Sequence, residues 1–225
     1  MKKNNLLFIS IALVLAACTN NNTYKTPETE MEKVSYSLGV NVATGVKAQG
    51  LDTIDASAVA KAFKDVFEGN DLDISEEESM KVLQDYFGKI QAKKSAKANE
   101  AGTAYLAENA EKEGVTTTES GLQYEILTSG DGEKPTTEDQ VTVHYHGTLT
   151  DGTVFDSSVD RGQPATFGVT QVIKGWAEAL QLMRVGDKWK LTIPANLAYG
   201  DQGAGGTIGP GATLIFEVEL LAINK

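Results

Sequence analysis

Cysteine and histidine are nearly absent from this chain of 225 residues, which has one cysteine and two histidines. A single cysteine excludes a framework of intramolecular disulfides and every metal site that needs several thiolates. Basic residues are also few, with 20 Lys and Arg against 31 Asp and Glu and a formal net charge of -11. Because an acidic surface repels phosphate backbones, we expect no nucleic acid partner. The length suffices for one large domain or two small ones.

Two partial metal motifs are present, and both are incomplete. His144 and His146 lie at a spacing that can bind a metal, but the chain has no third histidine, so we interpret them as surface residues. Residues 71–75 begin like a calcium-binding loop, yet Glu76 stands where that loop needs glycine and Val82 where it needs a bidentate glutamate. No metal or other cofactor is therefore expected.

Phosphate binding and glycosidic-bond hydrolysis are also poorly supported. Residues 203–209 are rich in glycine, but no Gly-Lys-Ser/Thr follows them, and no strand-to-helix context surrounds them. Several carboxylates could serve acid and base chemistry, but their spacing specifies no catalytic pair. These carboxylates are Asp151, Asp156, Asp160 and Glu178.

The first 17 residues have the pattern of an export signal. Lys2 and Lys3 precede an apolar run at residues 6–17, which is shorter than the roughly 20 residues of a membrane-spanning helix. The following Cys18 completes Leu-Ala-Ala-Cys, which resembles the bacterial lipobox. The resemblance implies cleavage before Cys18 and attachment of lipid to its thiol. The alternative is an ordinary secretory signal with an incidental cysteine.

The ten residues that follow the signal are predicted to be a flexible tether. Residues 18–27 are polar and lack apolar periodicity, which is typical of a linker. The sequence thus predicts an exported protein that is lipid-anchored to a bacterial membrane, at its periplasmic face or at the cell surface.

Apolar residues recur at helical spacing in the next region, residues 28–113. The first predicted helix begins at Glu28 and ends near Gly50, and the second runs from about residue 55 to residue 67. The apolar stripe of the first helix consists of Met31, Val34, Leu38, Val42 and Val46.

A long third helix is predicted between Ser75 and Lys112. Ser75 and Glu78 have the spacing of a capping box, which marks a helix start. From Gln91 onward the helix has few large apolar residues, so we expect its second half to be exposed. Three helices with so little apolar bulk make a thin core, which predicts that they form a homodimer with a second copy.

From residue 114 to residue 225 the pattern changes to alternation of apolar and polar residues, separated by turn pairs such as Asp-Gly. This pattern predicts antiparallel strands with one buried face. One short helical stretch is predicted at residues 176–182. The fold class is therefore α+β, with a helical region followed by a curved antiparallel sheet wrapped around one short helix. The predicted strands lie near residues 122–126, 141–149, 188–193 and 214–220.

Five motifs of residues 115–225 together resemble the FK506-binding peptidyl-prolyl isomerase (FKBP) domain. In chain order they are Val-His-Tyr145-His-Gly-Thr-Leu, Gly-Thr-Val-Phe155-Asp156-Ser-Ser, Gln-Val172-Ile173-Lys-Gly-Trp176, Leu-Ala-Tyr199-Gly and Ala-Thr-Leu-Ile-Phe216-Glu-Val-Glu-Leu. The helical region, from Val34-Ser-Tyr36-Ser-Leu38-Gly39 onward, resembles the dimerisation region of the macrophage infectivity potentiator branch.

The resemblance implies a peptidyl-prolyl cis-trans isomerase that assists the folding of exported proteins. Its substrates would be unfolded or partly folded polypeptides that contain proline. Tyr145, Asp156 and Tyr199 would be the catalytic residues, with Arg161 pairing with Asp156 to orient it. Trp176 would form the pocket floor. The remaining substrate-binding residues implied are Phe155, Phe167, Val172, Ile173, Ile208 and Phe216.

Three alternatives remain at the level of the sequence. An aromatic residue on an alternating strand is often simply a core residue, so each pocket residue also has a purely structural interpretation. The chain could also be a lipid-anchored dimeric chaperone or binding module with secondary or no isomerase activity. A structural surface lipoprotein is supported only by the lipobox and the acidity.

Overall fold

The computed structural model describes residues 25–224, in which four α-helices and seven β-strands follow one another. The chain divides into two compact units between residues 49 and 50. The helices are α1 (Glu30–Ala48), α2 (Ala56–Glu68), α3 (Glu76–Ala110) and α4 (Lys174–Leu182). The strands are β1 (Val115–Thr117), β2 (Gln123–Thr128), β3 (Gln140–Leu149), β4 (Val154–Ser157), β5 (Ala165–Gly168), β6 (Lys188–Ile193) and β7 (Leu214–Asn224).

The starts of the first three helices are set by side-chain caps. Thr29 and Glu32 form a reciprocal capping box at α1, and Asp55 accepts from two backbone N–H groups of α2. Ser75 accepts from the backbone N–H of Glu78 at α3, as the sequence predicts. These bonds satisfy N–H groups that the first turn of a helix leaves free. The predicted helices are therefore confirmed. No helix of residues 25–224 has the length and apolar character needed to cross a membrane.

The seven strands form one antiparallel sheet in the order β1-β2-β6-β7-β3-β4, and β5 pairs with the first half of β3. The predicted alternation is confirmed, because Val141, Val143 and Tyr145 of β3 are all buried. Their neighbours on β6 and β7 are buried in the same way, and α4 packs on this face through Trp176 and Leu180. The fold is therefore the α+β class that the sequence predicts.

Strands β1, β4 and β5 were not predicted from the alternating pattern. Each has only three or four residues, which is too short for a period of two to stand out. Two of them pair with different halves of β3, so that the polypeptide between β3 and α4 is held along one long strand.

Most of the second half of α3 is exposed, as the sequence predicts, but three positions in it are buried. Ser95 and Asn109 are buried, although neither is a large apolar residue. Asn109 donates to the side-chain oxygen of Gln123 over 2.9 Å, and Gln123 in turn donates to the backbone oxygen of Leu106 over 2.8 Å. The apolar pattern gives no sign of this contact because it is made by small and polar residues.

Candidate functional site

A cavity of about 590 Å³ opens between the sheet and α4, a volume typical of a small-molecule or peptide pocket. Ten of the eleven pocket residues that the sequence predicts line this cavity, and the eleventh, Arg161, contacts two of the ten. The ten lining residues are Tyr145, Phe155, Asp156, Phe167, Val172, Ile173, Trp176, Tyr199, Ile208 and Phe216. The structure therefore brings together residues that are up to 71 positions apart in the chain.

The sheet and the connections around it place these side chains. Tyr145 lies on β3 and Phe216 on β7, and the two strands pair with each other. Phe167 comes from β5, which pairs with the other end of β3. Trp176 is in the first turn of α4, while Tyr199 follows the short 3-10 turn Ala195–Leu197. The cavity thus takes its walls from strands and from the connections between them.

Four aromatic rings pack edge to face at the floor of the cavity. The ring centroid of Trp176 lies 5.4 Å from that of Tyr145, 5.9 Å from Phe167 and 5.2 Å from Phe216. The three interplanar angles lie between 78° and 87°, which is a favourable geometry for aromatic pairs. Trp176 is only 4% exposed. Together the four rings form the apolar floor of the cavity.

Gly147 of β3 leaves the space that two of the pocket rings occupy. A Cβ atom at this position would lie 2.7 Å from the ring of Phe155 and 2.8 Å from the ring of Phe216. These two rings themselves pack edge to face, with centroids 5.3 Å apart. Any side chain at position 147 would therefore displace the aromatic wall of the cavity.

Asp156 is held at the edge of the cavity by a closed set of hydrogen bonds. The hydroxyl of Tyr145 donates to Oδ2 of Asp156 over 2.5 Å, a length that suits a charge-assisted bond. Arg161 donates from Nη1 to the other carboxylate oxygen and from Nη2 to the Tyr145 hydroxyl, the latter over 2.8 Å. The guanidinium carbon also lies 5.6 Å from the centroid of the Tyr145 ring. The orientation of the carboxylate is thereby fixed.

These contacts change the pKa of both acidic groups. Burial of Asp156 acts to raise its pKa, but the hydrogen bonds from Tyr145 and Arg161 and the charge of Arg161 outweigh it. The pKa of Asp156 therefore lies below its ordinary value. Burial, together with the hydrogen bond to Asp156, raises the pKa of the Tyr145 hydroxyl above its ordinary value. At neutral pH the pair is a carboxylate and a neutral phenol.

Four further residues line the cavity but were not predicted from the sequence: Gln171, Ala204, Gly205 and Thr207. Gln171 directly precedes Val172 in one of the five motifs, so its position offered a signal. The other three belong to the glycine-rich segment. That segment forms a tight hairpin in which Ala204 and Ile208 exchange two backbone hydrogen bonds.

The remaining candidate sites of the sequence lie away from this cavity or outside the described residues. His144 and His146 each contact a serine hydroxyl, those of Ser158 and Ser157. Within residues 25–224 no cluster of three or more His, Cys, Asp or Glu could hold a metal ion. Cys18 lies outside the described residues.

Comparison with known proteins gives two family matches along the chain. Residues 131–221 match the family described as FKBP-type peptidyl-prolyl cis-trans isomerase. Residues 31–126 match the domain amino terminal to FKBP-type peptidyl-prolyl isomerase. The two matches together span most of the described residues.

Individual relatives match over nearly their whole length. An outer membrane protein MIP of Legionella longbeachae is 42% identical, and the match covers 100% of this chain and 98% of the relative. An FKBP-type 22 kDa peptidyl-prolyl cis-trans isomerase of Escherichia coli is 46% identical, over 89% of this chain and 99% of the relative. The crystal structure of FkpA from Escherichia coli matches with a TM-score of 0.65 at 33% identity, over 88% of this chain and 99% of that one.

The lowered pKa of Asp156 predicts a specific loss of stability in acid. A carboxyl group whose pKa is depressed by folding stabilises the folded state above its unfolded pKa of about 3.9, and this stabilisation is lost as the pH falls through the folded pKa. We expect the difference in free energy of unfolding between the unsubstituted chain and Asp156→Asn to be constant above about pH 5 and to shrink below about pH 4. Urea unfolding of both proteins at pH 6, 4 and 3 measures this difference in the free energy of unfolding. A difference that stays constant or grows in acid would contradict the assignment.

Proposed function

The chain belongs to the FKBP-type peptidyl-prolyl cis-trans isomerases, and we propose that the cavity between the sheet and α4 holds the proline ring of its substrate while the Xaa-Pro bond rotates. Membership of this family establishes that the chain is a peptidyl-prolyl cis-trans isomerase. The edge-to-face packing of Trp176 with its aromatic neighbours is the observation that carries the assignment of the site. The substrates we propose are proline-containing segments of exported polypeptides that are unfolded or partly folded.

The apolar floor suits the chemistry of this rotation. The barrier of roughly 18–20 kcal/mol comes from the resonance of the amide, and no covalent bond is made or broken. In the twisted amide the charge separation of the planar ground state is reduced. An apolar surface that excludes water therefore favours the twisted amide over the planar one. Neither a nucleophile nor a metal is needed for this step.

The polar residues at the edge of the cavity orient the substrate. Asp156 presents a carboxylate that Tyr145 and Arg161 hold in one position. Tyr199 lies at the rim, 41% exposed, and its hydroxyl can donate to a carbonyl oxygen of the bound peptide. We propose Tyr145, Asp156 and Tyr199 as catalytic residues on this basis, and Arg161 as the partner that keeps Asp156 ionised and oriented.

We predict that Asp156→Ala and Trp176→Leu each reduce kcat/KM at least about tenfold, or about 1.4 kcal/mol of transition-state stabilisation. The first removes the oriented carboxylate, and the second removes the pocket floor. The measurement is cis-trans isomerisation of a short Leu-Pro peptide by the chain from residue 18 onward, with circular dichroism to verify the fold.

Asp160→Ala is the matched control, because Asp160 is an exposed aspartate only four residues from Asp156 and does not line the cavity. Its rate should stay within about twofold of the unsubstituted chain. Unchanged rates in folded Asp156→Ala and Trp176→Leu would remove the site assignment. If the unsubstituted chain is folded but inactive, the chaperone or binding-module interpretation is favoured instead.

We also propose that the chain is exported and anchored to a bacterial membrane through lipid on Cys18. The signal-like residues 1–17 and the lipobox-like Leu-Ala-Ala-Cys support the anchor. The Legionella relative is named as an outer membrane protein, which supports export. Stable attachment needs two or more acyl chains, which a lipidated cysteine would carry.

Cys18→Ser should abolish incorporation of labelled fatty acid and move the protein from the membrane fraction to the soluble fraction. The reason is that only the thiol of Cys18 can accept the lipid in a chain with one cysteine. Thr19→Ser, a substitution of the next residue, is the control and should leave both label and location unchanged. An unsubstituted protein that is exported without label would favour an ordinary secretory signal.

We propose further that the helical region, residues 28–113, forms a homodimer and that residues 114–225 form the isomerase domain. Helix α1 has no buried residue within its unit, and its apolar Val34, Leu38 and Val42 are exposed. Phe67 of α2 is 80% exposed. Apolar helix faces of this extent are typical of an interface. A dimer would offer two cavities to one long substrate and so raise its effective affinity.

We expect sedimentation of the chain from residue 18 onward to show a dimer at micromolar concentration. The double substitution Val34→Asp and Leu38→Asp should weaken the dimer at least about tenfold, because it places charge in an apolar interface. Val159→Asp is the control, since Val159 is an exposed valine in the connection between β4 and β5 rather than on the helices. A monomer of the unsubstituted chain would disprove the proposed dimer.

A further inference from the structure

One wall of the cavity is a loop whose backbone contains unusually many glycines. We call residues 198–213 the rim segment; it follows the 3-10 turn and leads into β7, and it carries Tyr199 and Ile208. Its base is closed by a hydrogen bond from the N–H of Gly211 to the oxygen of Gly200, over 2.8 Å. Six of the twelve residues 200–211 are glycine. Because glycine has the largest conformational freedom of all residues, such a loop needs support from outside to keep one shape.

Helix α3 supplies two hydrogen bonds to the base of the rim segment. The hydroxyl of Ser95 donates to Oδ1 of Asp201 over 2.5 Å. The side chain of Gln91, one turn earlier on the same helix, donates to the backbone oxygen of Asp201 over 2.7 Å. Ser95 is only 5% exposed. Asp201 lies two residues after Tyr199, so these bonds act close to the pocket wall.

The helix and the rim segment also approach each other closely at two glycines, one on each. A Cβ atom on Gly211 would lie 2.6 Å from the backbone oxygen of Ser95. A Cβ atom on Gly102 of α3 would lie 2.3 Å from Oγ1 of Thr213. Both distances are far below van der Waals contact, so the close approach requires glycine at both positions. The base of the rim segment is therefore fixed against α3 at two points, two turns of helix apart.

We propose that Ser95 and Asp201 are positioning residues for the isomerase, through which α3 holds Tyr199 and Ile208 in place for substrate binding. This inference rests on the proposed function of the cavity. Without the bond to α3, the glycine-rich segment would sample other conformations, and the substrate would have to select the competent one. The apparent affinity of the enzyme for substrate would then fall in proportion to the fraction of molecules that keep the competent conformation. Helix α3 would thus contribute to peptide binding although none of its residues lines the cavity.

The test compares Ser95→Ala and Asp201→Ala with the unsubstituted chain by hydrogen exchange and by kinetics. We expect the backbone N–H groups of Ile208 and Gly211, both bonded within the rim segment, to exchange at least about tenfold faster in both variants. We expect KM for a Leu-Pro peptide to rise at least about threefold while kcat stays within about twofold. An effect on KM alone separates loss of positioning from general damage to the enzyme.

Two control variants make the test specific. Ser79→Ala removes an exposed hydroxyl from the first turn of the same helix, 12 residues before Gln91, and should change neither measurement. Asp201→Asn keeps a side-chain oxygen that can accept from Ser95, and should restore exchange and KM to within about twofold of the unsubstituted values.

Exchange and KM that remain unchanged in both alanine variants would overturn the proposal. Faster exchange with an unchanged KM would also overturn it, because the helix would then hold the segment without affecting substrate binding. The activity of the unsubstituted chain in the same assay tests the assignment of the cavity separately. The hydrogen exchange does not depend on that activity.

Discussion

The edge-to-face packing of Trp176 against Tyr145, Phe167 and Phe216 is the interaction on which the cavity depends. These four rings come from a helix and three strands, so their contact joins α4 to the sheet and forms the floor of the site. The same packing makes the floor apolar. An apolar floor suits a reaction whose barrier is amide resonance and whose transition state is less polar than its ground state. In the proposed site, the side chains that stabilise the fold would therefore also contact the rotating amide.

Polar residues have a complementary role: they fix the orientation of groups that the aromatic packing does not hold. Tyr145 belongs to both sets, because its ring packs on Trp176 and its hydroxyl donates to Asp156. Farther from the site, Asn109 and Gln123 join α3 to the sheet through amide hydrogen bonds. Buried polar bonds of this kind contribute little net stability but are costly to leave unsatisfied, so they select one arrangement of helix and sheet.

The alternating strands and the helix starts could be predicted from the sequence because each depends on local rules, period two for β3 and a hydroxyl cap for α3. Local rules could not predict the pocket. Only the five family motifs, taken in order, indicated that Tyr145 and Phe216 would lie close together. The contacts of α3 with the sheet and with the rim segment could not be predicted, because Asn109 and Ser95, which make them, are polar and carry no apolar signal. The short strands β4 and β5 were not predicted for another reason: their pairing depends on β3, which lies elsewhere in the sequence.

The chain has two tryptophans, and the structure places them in different surroundings. Trp176 forms the floor of the cavity, whereas Trp189 is buried on β6 and stacks on Tyr124 at 4.3 Å between ring centroids. Indole emission depends on the polarity around the ring, so a ligand that displaces water from the cavity changes the surroundings of only one of the two fluorophores. The protein therefore carries a built-in optical probe of pocket occupancy together with an internal reference.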